Sequence, residues 1–334
     1  MAAESEAAVV ITVYFKENEV VSERVLGVDD PIPENVLWVD LENPSHAEEE
    51  SLKKNLGVTV PTSEEIWKNH VLNRMYTENG FSYMTAAVIN KVNTPYPETR
   101  AVTFILSRRY LVTIRQVSPT SFKNFAQRIK NAPKQFASGA DVLEGLLEEI
   151  ITRVAHNSEL VVDQLDALSH HIFDVQTEEN NRKNPSAMMK EVLRKLGACA
   201  DLNSKINESL HSLSRMLSFF RESQKENPQI ESCIDILIKD AKSLSQQTAF
   251  LSDKVTFQLD ATLGMINVEQ NLIMKIFSVV TTFFLPPTLI AGVYGMNFEH
   301  MPELRWTEGY PIALGLMILV ALAPYAYFRR KGWL

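Results

Sequence analysis

Two long apolar segments near the C-terminal end constrain the fold of this chain more than any other feature. Residues 276–298 and 309–328 are runs of 23 and 20 residues without a charged side chain, joined by a polar connection of 10 residues at 299–308. About 20 predominantly apolar residues are enough for a helix to cross a bilayer. The sequence therefore predicts an integral membrane protein with a C-terminal two-helix hairpin and with membrane lipid as a partner.

The part of the chain before the first span is far more polar and predicts a sizeable domain outside the bilayer. The whole chain carries 41 acidic against 33 basic side chains, which argues against nucleic acid as a partner because nucleic-acid binding depends on Lys and Arg. No Gly-x-x-x-x-Gly-Lys pattern is present, so no nucleotide partner is predicted. Residues 1–10 have neither the basic start nor the apolar core of a secretory signal, which favours a cytosolic location for this domain.

The charges around the spans predict the orientation of the hairpin. Arg329, Arg330 and Lys331 follow the second span directly, and basic clusters of this kind are retained on the cytoplasmic side. The connection at 299–308 has more acidic than basic side chains and is expected to face outward. Because a hairpin returns both of its ends to one side, both termini are predicted to be cytoplasmic, in an inner or plasma membrane.

The N-terminal part has the pattern of a mixed α/β domain, with strand-like runs rich in β-branched residues. Residues 101–106 and 110–115 are two such runs, and Arg108-Arg109 between them is typical of a tight hairpin. Ser45 and Glu48 have the spacing of a capping box, which predicts the start of a helix.

Helical periodicity replaces the strand pattern from about residue 119. Turn-forming residues at 180–185 are expected to separate two long helices, and Pro228 is expected to end the second. The long uninterrupted pattern that follows is typical of a stalk helix. The predicted segments are an α/β domain at 1–118, a helical region at 119–228, a stalk helix at 229–275, a first span at 276–298, an outer loop at 299–308, a second span at 309–328 and a basic tail at 329–334.

A stripe of small, polar and flexible residues follows the first span in alternating steps of three and four. This spacing keeps one face of a helix toward a shared axis in a left-handed bundle. Ordinary helix–helix packing also favours Ser, Thr and Gly. Asn271 and Asn297, at the two ends of this region, favour a pore because unpaired amides are costly in lipid. Two spans per chain cannot enclose a pore, so the pore interpretation requires a homo-oligomer. The stripe consists of Asn271, Met274, Ser278, Thr281, Leu285, Thr288 and Gly292.

A motif at the end of the first span resembles that of a known family. The tetrad Tyr294-Gly295-Met296-Asn297, followed by Phe298-Glu299-His300-Met301-Pro302-Glu303-Leu304, is similar to the signature of the CorA family of magnesium/cobalt transport proteins. The likeness extends through both spans and, more loosely, to residues 11–14 and 38–41. It implies a funnel-shaped homopentamer in which an α+β cytosolic domain is joined to a long stalk helix and a two-helix transmembrane hairpin.

The resemblance also implies roles for individual residues of this pore. Asn297 would form a selectivity ring, with Gly295 allowing close backbone approach and Met296 packing beside it. Mg²⁺ dehydrates reluctantly and keeps its waters, and amide oxygens can accept hydrogen bonds from those waters without removing them. The other implied pore positions are polar at Asn271 and Thr288 and apolar at Met274, Leu285 and Phe277, the last lying one step off the stripe.

Two carboxylates on the predicted stalk are candidates for regulation. Asp253 and Asp260 are seven residues apart and share a helix face. Across a symmetric interface such carboxylates would repel one another unless a cation lay between them, although a solvated helix face explains them equally well. The resemblance implies that Mg²⁺ bound between cytosolic subunits holds the channel shut, and that the basic tail rings the cytosolic exit.

The sequence thus predicts a channel for Mg²⁺ uptake, with Co²⁺ and Ni²⁺ as alternative ions, and no enzymatic activity. A zinc transporter of the same superfamily is the nearest alternative. The absence of His and Cys along the first span counts against it, since Zn²⁺ prefers nitrogen and sulfur ligands. The other alternative is a membrane-anchored metal sensor or enzyme, which would have no need of the polar stripe.

Overall fold

The computed structural model describes residues 10–59, 75–92, 94, 96–173, 185–297 and 301–330. The chain divides into two units, Met1–Leu259 and Asp260–Leu334. The described strands are β1 (Val10–Glu17), β2 (Val20–Leu26), β3 (Val36–Glu42), β4 (Tyr76–Glu78), β5 (Phe81–Asn90), β6 (Glu98–Leu106) and β7 (Leu111–Arg115). The described α-helices are α1 (His46–Leu56), α2 (Thr120–Asn131), α3 (Gly139–Phe173), α4 (Pro185–Ser223), α5 (Pro228–Tyr294) and α6 (Gly309–Arg330).

The strands of the first unit form one mixed sheet in the order β2-β1-β3-β7-β6-β5-β4. β3 and β7 are parallel neighbours, whereas the other adjacent strands pair antiparallel. Both central strands are almost entirely buried, which explains their nearly continuous apolar sequences. The predicted mixed sheet is confirmed. So is the hairpin between β6 and β7, where the Ser107 N–H donates to the Tyr110 carbonyl at 3.0 Å.

Local signals set both ends of α1. The Ser45 N–H donates to the Glu48 carboxylate at 2.8 Å, which satisfies a backbone donor that the helix itself leaves free and confirms the predicted capping interaction. The helix ends before Gly57, whose φ of 68° is favourable for glycine. Between these ends, Leu52 is 1% exposed and belongs to the apolar cluster that also contains Val39 and Val112 of the sheet.

A buried ion pair joins the two parallel strands at the centre of the sheet. Arg115 donates to both carboxylate oxygens of Asp40, with Nη2 2.8 Å from Oδ2 and Nε 3.1 Å from each oxygen. The Thr113 hydroxyl donates to the same carboxylate at 2.6 Å and accepts from the Trp38 indole at 2.9 Å. A second carboxylate, that of Glu42, lies 2.8 Å from the guanidinium. Asp40 and Arg115 are only 5% and 7% exposed. The network therefore offsets the free-energy cost of burying their charges.

The pKa of Arg115 reflects this balance. Burial alone would lower the pKa of the guanidinium, but the nearby carboxylates of Asp40 and Glu42 outweigh burial and raise it. The guanidinium also lies 5.2 Å from the centre of the Phe122 ring on α2, within the range of a cation–π contact. The ion pair is thus held by the sheet on one side and by a helix on the other.

Long helices complete the first unit and meet through buried hydrogen bonds. The Asn203 amide on α4 donates to the Thr248 carbonyl on α5 at 2.9 Å. The Gln258 amide on α5 donates to the Leu165 carbonyl on α3 at 2.8 Å. These bonds fix the first part of α5 against both neighbours.

α5 continues without a break for 67 residues and ends at Tyr294. Pro228, which was expected to end the preceding helix, is the first residue of α5, where its missing N–H would have no partner in any case. The predicted long stalk helix is therefore present. Residues 180–184 of the predicted turn lie outside the described residues.

Replacement of Arg115 tests the importance of the central ion pair. We expect Arg115→Ala to lower the free energy of unfolding by about 3–5 kcal/mol, because it leaves the buried Asp40 carboxylate without its counter-charge. Denaturant titration of the full chain in detergent, followed by tryptophan fluorescence, measures the change.

Lys134→Gln is the matched control for this experiment. Lys134 pairs with Glu19 at 3.6 Å, but both side chains are more than three-quarters exposed, and exposed pairs contribute about 0–1 kcal/mol. Equal losses in the two variants would contradict a special role for the buried pair.

Candidate ion pathway

The two predicted spans are present as helices and are not covered by the rest of the described chain. α5 and α6 each contain an apolar stretch long enough to cross a membrane, and none of either stretch is buried. Large apolar side chains such as Phe284 and Leu289 are 69% and 68% exposed. A core helix of a water-soluble domain would be buried, so the exposure of these apolar surfaces is in line with the two predicted spans.

The residues of the predicted stripe share one face of α5. At about 100° of rotation per residue, Asn271, Ser278, Leu285 and the other stripe residues fall within an arc of about 100°. Phe277 is 11 residues from Thr288 and therefore lies only about 20° from it around the helix. Phe277 thus borders the stripe. All of these side chains are exposed in the single chain.

The hydroxyl groups on this face are turned back onto their own helix. Ser278 donates to the Met274 carbonyl at 2.8 Å, and Thr281 donates to the Phe277 carbonyl at 2.8 Å. The same bond is made by Thr288 to the Phe284 carbonyl at 2.7 Å, and by Thr282, which the sequence stripe omits, to the Ser278 carbonyl at 2.7 Å. A hydroxyl has one hydrogen and two lone pairs. Once its hydrogen is used within the helix, only acceptor capacity remains outward.

The helix ends inside the signature tetrad. α5 stops at Tyr294, before the end of the predicted span at residue 298. The Gly295 N–H still donates to the Ala291 carbonyl at 2.9 Å, and the Met296 N–H donates to the Val293 carbonyl at 3.3 Å, which tightens the last turn. A Cβ at Gly295 would lie 3.0 Å from the Ala291 carbonyl oxygen, so a side chain there would crowd this turn.

Asn297 follows this tightened turn, outside the helix, and is exposed. Met296, expected to pack, is 49% exposed in the single chain. The residues predicted to select the ion therefore follow the last turn of the helix and are not part of its wall. Residues 298–300 lie outside the described residues.

The predicted regulatory carboxylates are exposed and have no cationic partner in the described part of the chain. Asp253 belongs to the first unit and Asp260 to the second. Neither forms an ion pair among the described residues, whereas the neighbouring Lys254 pairs with Asp166. The described residues of one chain also contain no group of three or more His, Cys, Asp or Glu side chains that could hold a metal ion.

The basic tail is partly described. Arg329 and Arg330 form the last turn of α6, where basic side chains interact favourably with the helix dipole. Lys331 lies outside the described residues.

Comparison with known proteins identifies the family. The CorA-like Mg²⁺ transporter protein family matches residues 33–330. The chain belongs to the CorA family. The magnesium transport protein CorA of Haemophilus ducreyi is 34% identical over 315 residues, which cover 93% of this chain and 97% of that protein. This family consists of transporters, in line with the expectation that the chain is not an enzyme.

Solved structures support the fold. The complete structure of the CorA magnesium transporter from Methanocaldococcus jannaschii aligns over 100% of both chains with a TM-score of 0.72 at 20% identity. The cytoplasmic domain of ZntB from Vibrio parahaemolyticus aligns with 78% of this chain and 98% of its own, with a TM-score of 0.57 at 11% identity. At these identities the likeness concerns the fold alone. It confirms the predicted combination of a mixed-sheet domain, a long helix and a C-terminal helical hairpin.

Cysteine accessibility tests which face of α5 meets water. In a variant without the native Cys199 and Cys233, we expect Thr281→Cys to react with a charged, water-soluble thiol reagent in membrane vesicles. Val280→Cys is the matched control, because position 280 is one step around the helix, on the apolar side. Both positions are exposed in the single chain, so a difference in labelling can only come from the assembled protein in its membrane. Equal labelling would contradict a water-lined stripe.

Proposed function

We propose that this chain forms a channel for Mg²⁺ uptake across an inner or plasma membrane, as a homopentamer with both termini in the cytoplasm. Co²⁺ and Ni²⁺ are alternative ions of the same pathway. The observation that supports the proposal is the stripe of hydroxyls bonded to their own helix on the uncovered apolar part of α5, which is followed by an exposed Asn297. The names of the curated relatives, magnesium transport proteins, support the choice of ion.

The stripe has the hydrogen-bonding character that a hydrated cation requires. Mg²⁺ keeps its waters, and waters bound to a cation point their hydrogens outward. A wall of acceptors therefore complements the hydrated ion, whereas free donors would oppose it. Ser278, Thr281 and Thr288 offer acceptors along the helix, and the Asn297 amide oxygen would offer them at the outer end.

The apolar members of the stripe would act as the closed barrier. Met274 and Leu285 are 64% exposed, and Phe277 is 65% exposed. Five copies of such side chains around one axis can exclude water from a narrow pore, which blocks a hydrated ion without any charged gate. Transport then needs no energy source besides the membrane potential. A negative-inside potential contributes about 2.3 kcal/mol per charge per 100 mV, and twice as much for a divalent ion.

Gating by cytosolic Mg²⁺ is the second part of the proposal. Asp253 and Asp260 are exposed carboxylates on α5 that lack a cationic partner within the described chain. In a symmetric assembly, a divalent ion between neighbouring copies would offset the repulsion of such carboxylates. Loss of that ion would release the repulsion and favour opening.

Zinc transport is the second candidate, favoured by the fold likeness to the ZntB cytoplasmic domain. The first span contains no His or Cys, so it offers Zn²⁺ none of the nitrogen and sulfur side chains that it prefers. Competition between the two ions in a liposome flux assay distinguishes the candidates. No flux of either ion would favour the alternative of a membrane-anchored sensor.

Substitution of Asn297 tests the selectivity ring. We expect Asn297→Ala to reduce Mg²⁺ flux into liposomes by at least about tenfold, because each copy loses an acceptor that contributes on the order of 1 kcal/mol. Met301→Ala, in the same outer connection, is the control and is expected to retain flux. Normal flux through Asn297→Ala would show that the ring does not select the ion.

Charge reversal at the stalk tests the gate separately. We expect Asp260→Lys to raise the cytosolic Mg²⁺ concentration that half-inhibits flux by roughly tenfold or more, which corresponds to about 1.4 kcal/mol of lost ion binding. Asp201→Lys is the matched control, since Asp201 is an exposed carboxylate on α4. Unchanged inhibition in Asp260→Lys would remove this residue from the gate and leave the pore proposal intact.

A further inference from the structure

A cavity at one edge of the sheet collects positive charge in a chain that is acidic overall. The cavity has a volume of about 590 Å³, and its lining includes Lys16, Arg108 and Arg109. Glu34 is the acidic side chain of the lining. The lining residues that the structure describes thus carry three positive charges and one negative charge, in a chain whose formal net charge is −8. We call it the hairpin cavity because the turn between β6 and β7 forms one wall.

The strand order explains why these distant residues meet. β1 runs antiparallel to β3, so Lys16 near the end of β1 lies beside the start of β3. The backbone confirms this, since the Lys16 N–H donates to the Asn35 carbonyl at 3.1 Å. β3 runs parallel to β7, so the start of β3 also lies beside the start of β7 and the Arg108-Arg109 turn. Three cations are therefore brought to one sheet edge by the backbone alone.

The cations of the cavity have no bonding partner within the described part of the chain. The side chains of Lys16, Arg108 and Arg109 form no ion pair and no hydrogen bond there. Two other basic side chains of this unit do have carboxylate partners: Lys130 contacts Glu23, and Lys134 lies 3.6 Å from Glu19. Three unpaired cations around one concave surface repel each other, and an anionic ligand would relieve that repulsion.

We propose that the hairpin cavity binds a soluble polyphosphate anion, such as a nucleoside triphosphate. Arg presents a planar fork of donors that fits phosphate oxygens, and the two adjacent arginines give two such forks. The volume lies within the range of small-molecule sites. No aromatic side chain is among the lining residues described, so recognition rests on the phosphates and not on stacking of a base. The site uses side-chain cations at strand ends and needs no Gly-rich phosphate-binding loop.

Calorimetric titration of the detergent-solubilised full chain tests the site, with ATP and inorganic triphosphate as probes in low salt without Mg²⁺. We expect both probes to bind with similar affinity. The double variant Arg108→Gln/Arg109→Gln should weaken both by at least about tenfold, because charge-assisted hydrogen bonds to phosphate are lost. Both arginines are exposed turn residues, so the variant is expected to fold, and an unchanged thermal midpoint verifies this.

Lys134→Gln is the control, because Lys134 is a nearby exposed cation that already has the Glu19 carboxylate as its partner. It should bind both probes like the native protein. Absence of binding by the native protein, or equal weakening in the control and the double variant, would overturn the proposal. A short-chain phosphatidylglycerol is a further probe, and binding of this lipid without binding of either polyphosphate would also overturn it. These outcomes do not depend on ion flux, so the proposal stands or falls independently of the channel.

Discussion

Hydrocarbon offers no partner to a polar group, and this constraint accounts for the arrangement of the second unit. The hydroxyls of Ser278, Thr281, Thr282 and Thr288 on α5 donate their hydrogens to carbonyls four residues earlier, so these four donors are satisfied within the helix. What remains is acceptor capacity confined to one face. The same helix leaves its apolar residues uncovered in the single chain. Assembly of several copies around a shared axis would account for both faces of the helix, because lipid would cover the apolar face and water would contact the acceptors.

The first unit solves the opposite problem, that of holding charge inside a protein core. Arg115 and Asp40 are buried together and hydrogen-bonded to each other, whereas the cations of the hairpin cavity have no charged partner among the described residues. The buried guanidinium is thus neutralised by carboxylates of the same chain, whereas the cavity cations lie where a soluble ligand can reach them. A polyphosphate is also a chelator of Mg²⁺, so the proposed ligand and the proposed cargo would compete for one another in the cytosol. The cavity would then respond to the level of free Mg²⁺.

Features that depend on neighbouring residues could be predicted from the sequence, and features that depend on distant ones could not. Hydropathy predicts both spans, and the capping box and the β6–β7 hairpin are short-range signals that the structure confirms. The meeting of Lys16 with Arg108 and Arg109 requires the strand order, which no local pattern contains. The end of α5 at Tyr294 was also missed, because hydropathy continues through Met296 while the end of the helix depends on backbone geometry. The roles of the pore and stalk residues remain predictions.

The pairing of Asp40 with Arg115 has a consequence for how the chain is made. The two residues are 75 positions apart, so the carboxylate must stay hydrated until Arg115 has been synthesised and the central strands can close. Such non-local closures are slow steps in folding, and N-terminal domains generally fold first during synthesis. The first apolar span begins only at residue 276. The Asp40–Arg115 ion pair can therefore form in water before the two apolar segments leave the ribosome.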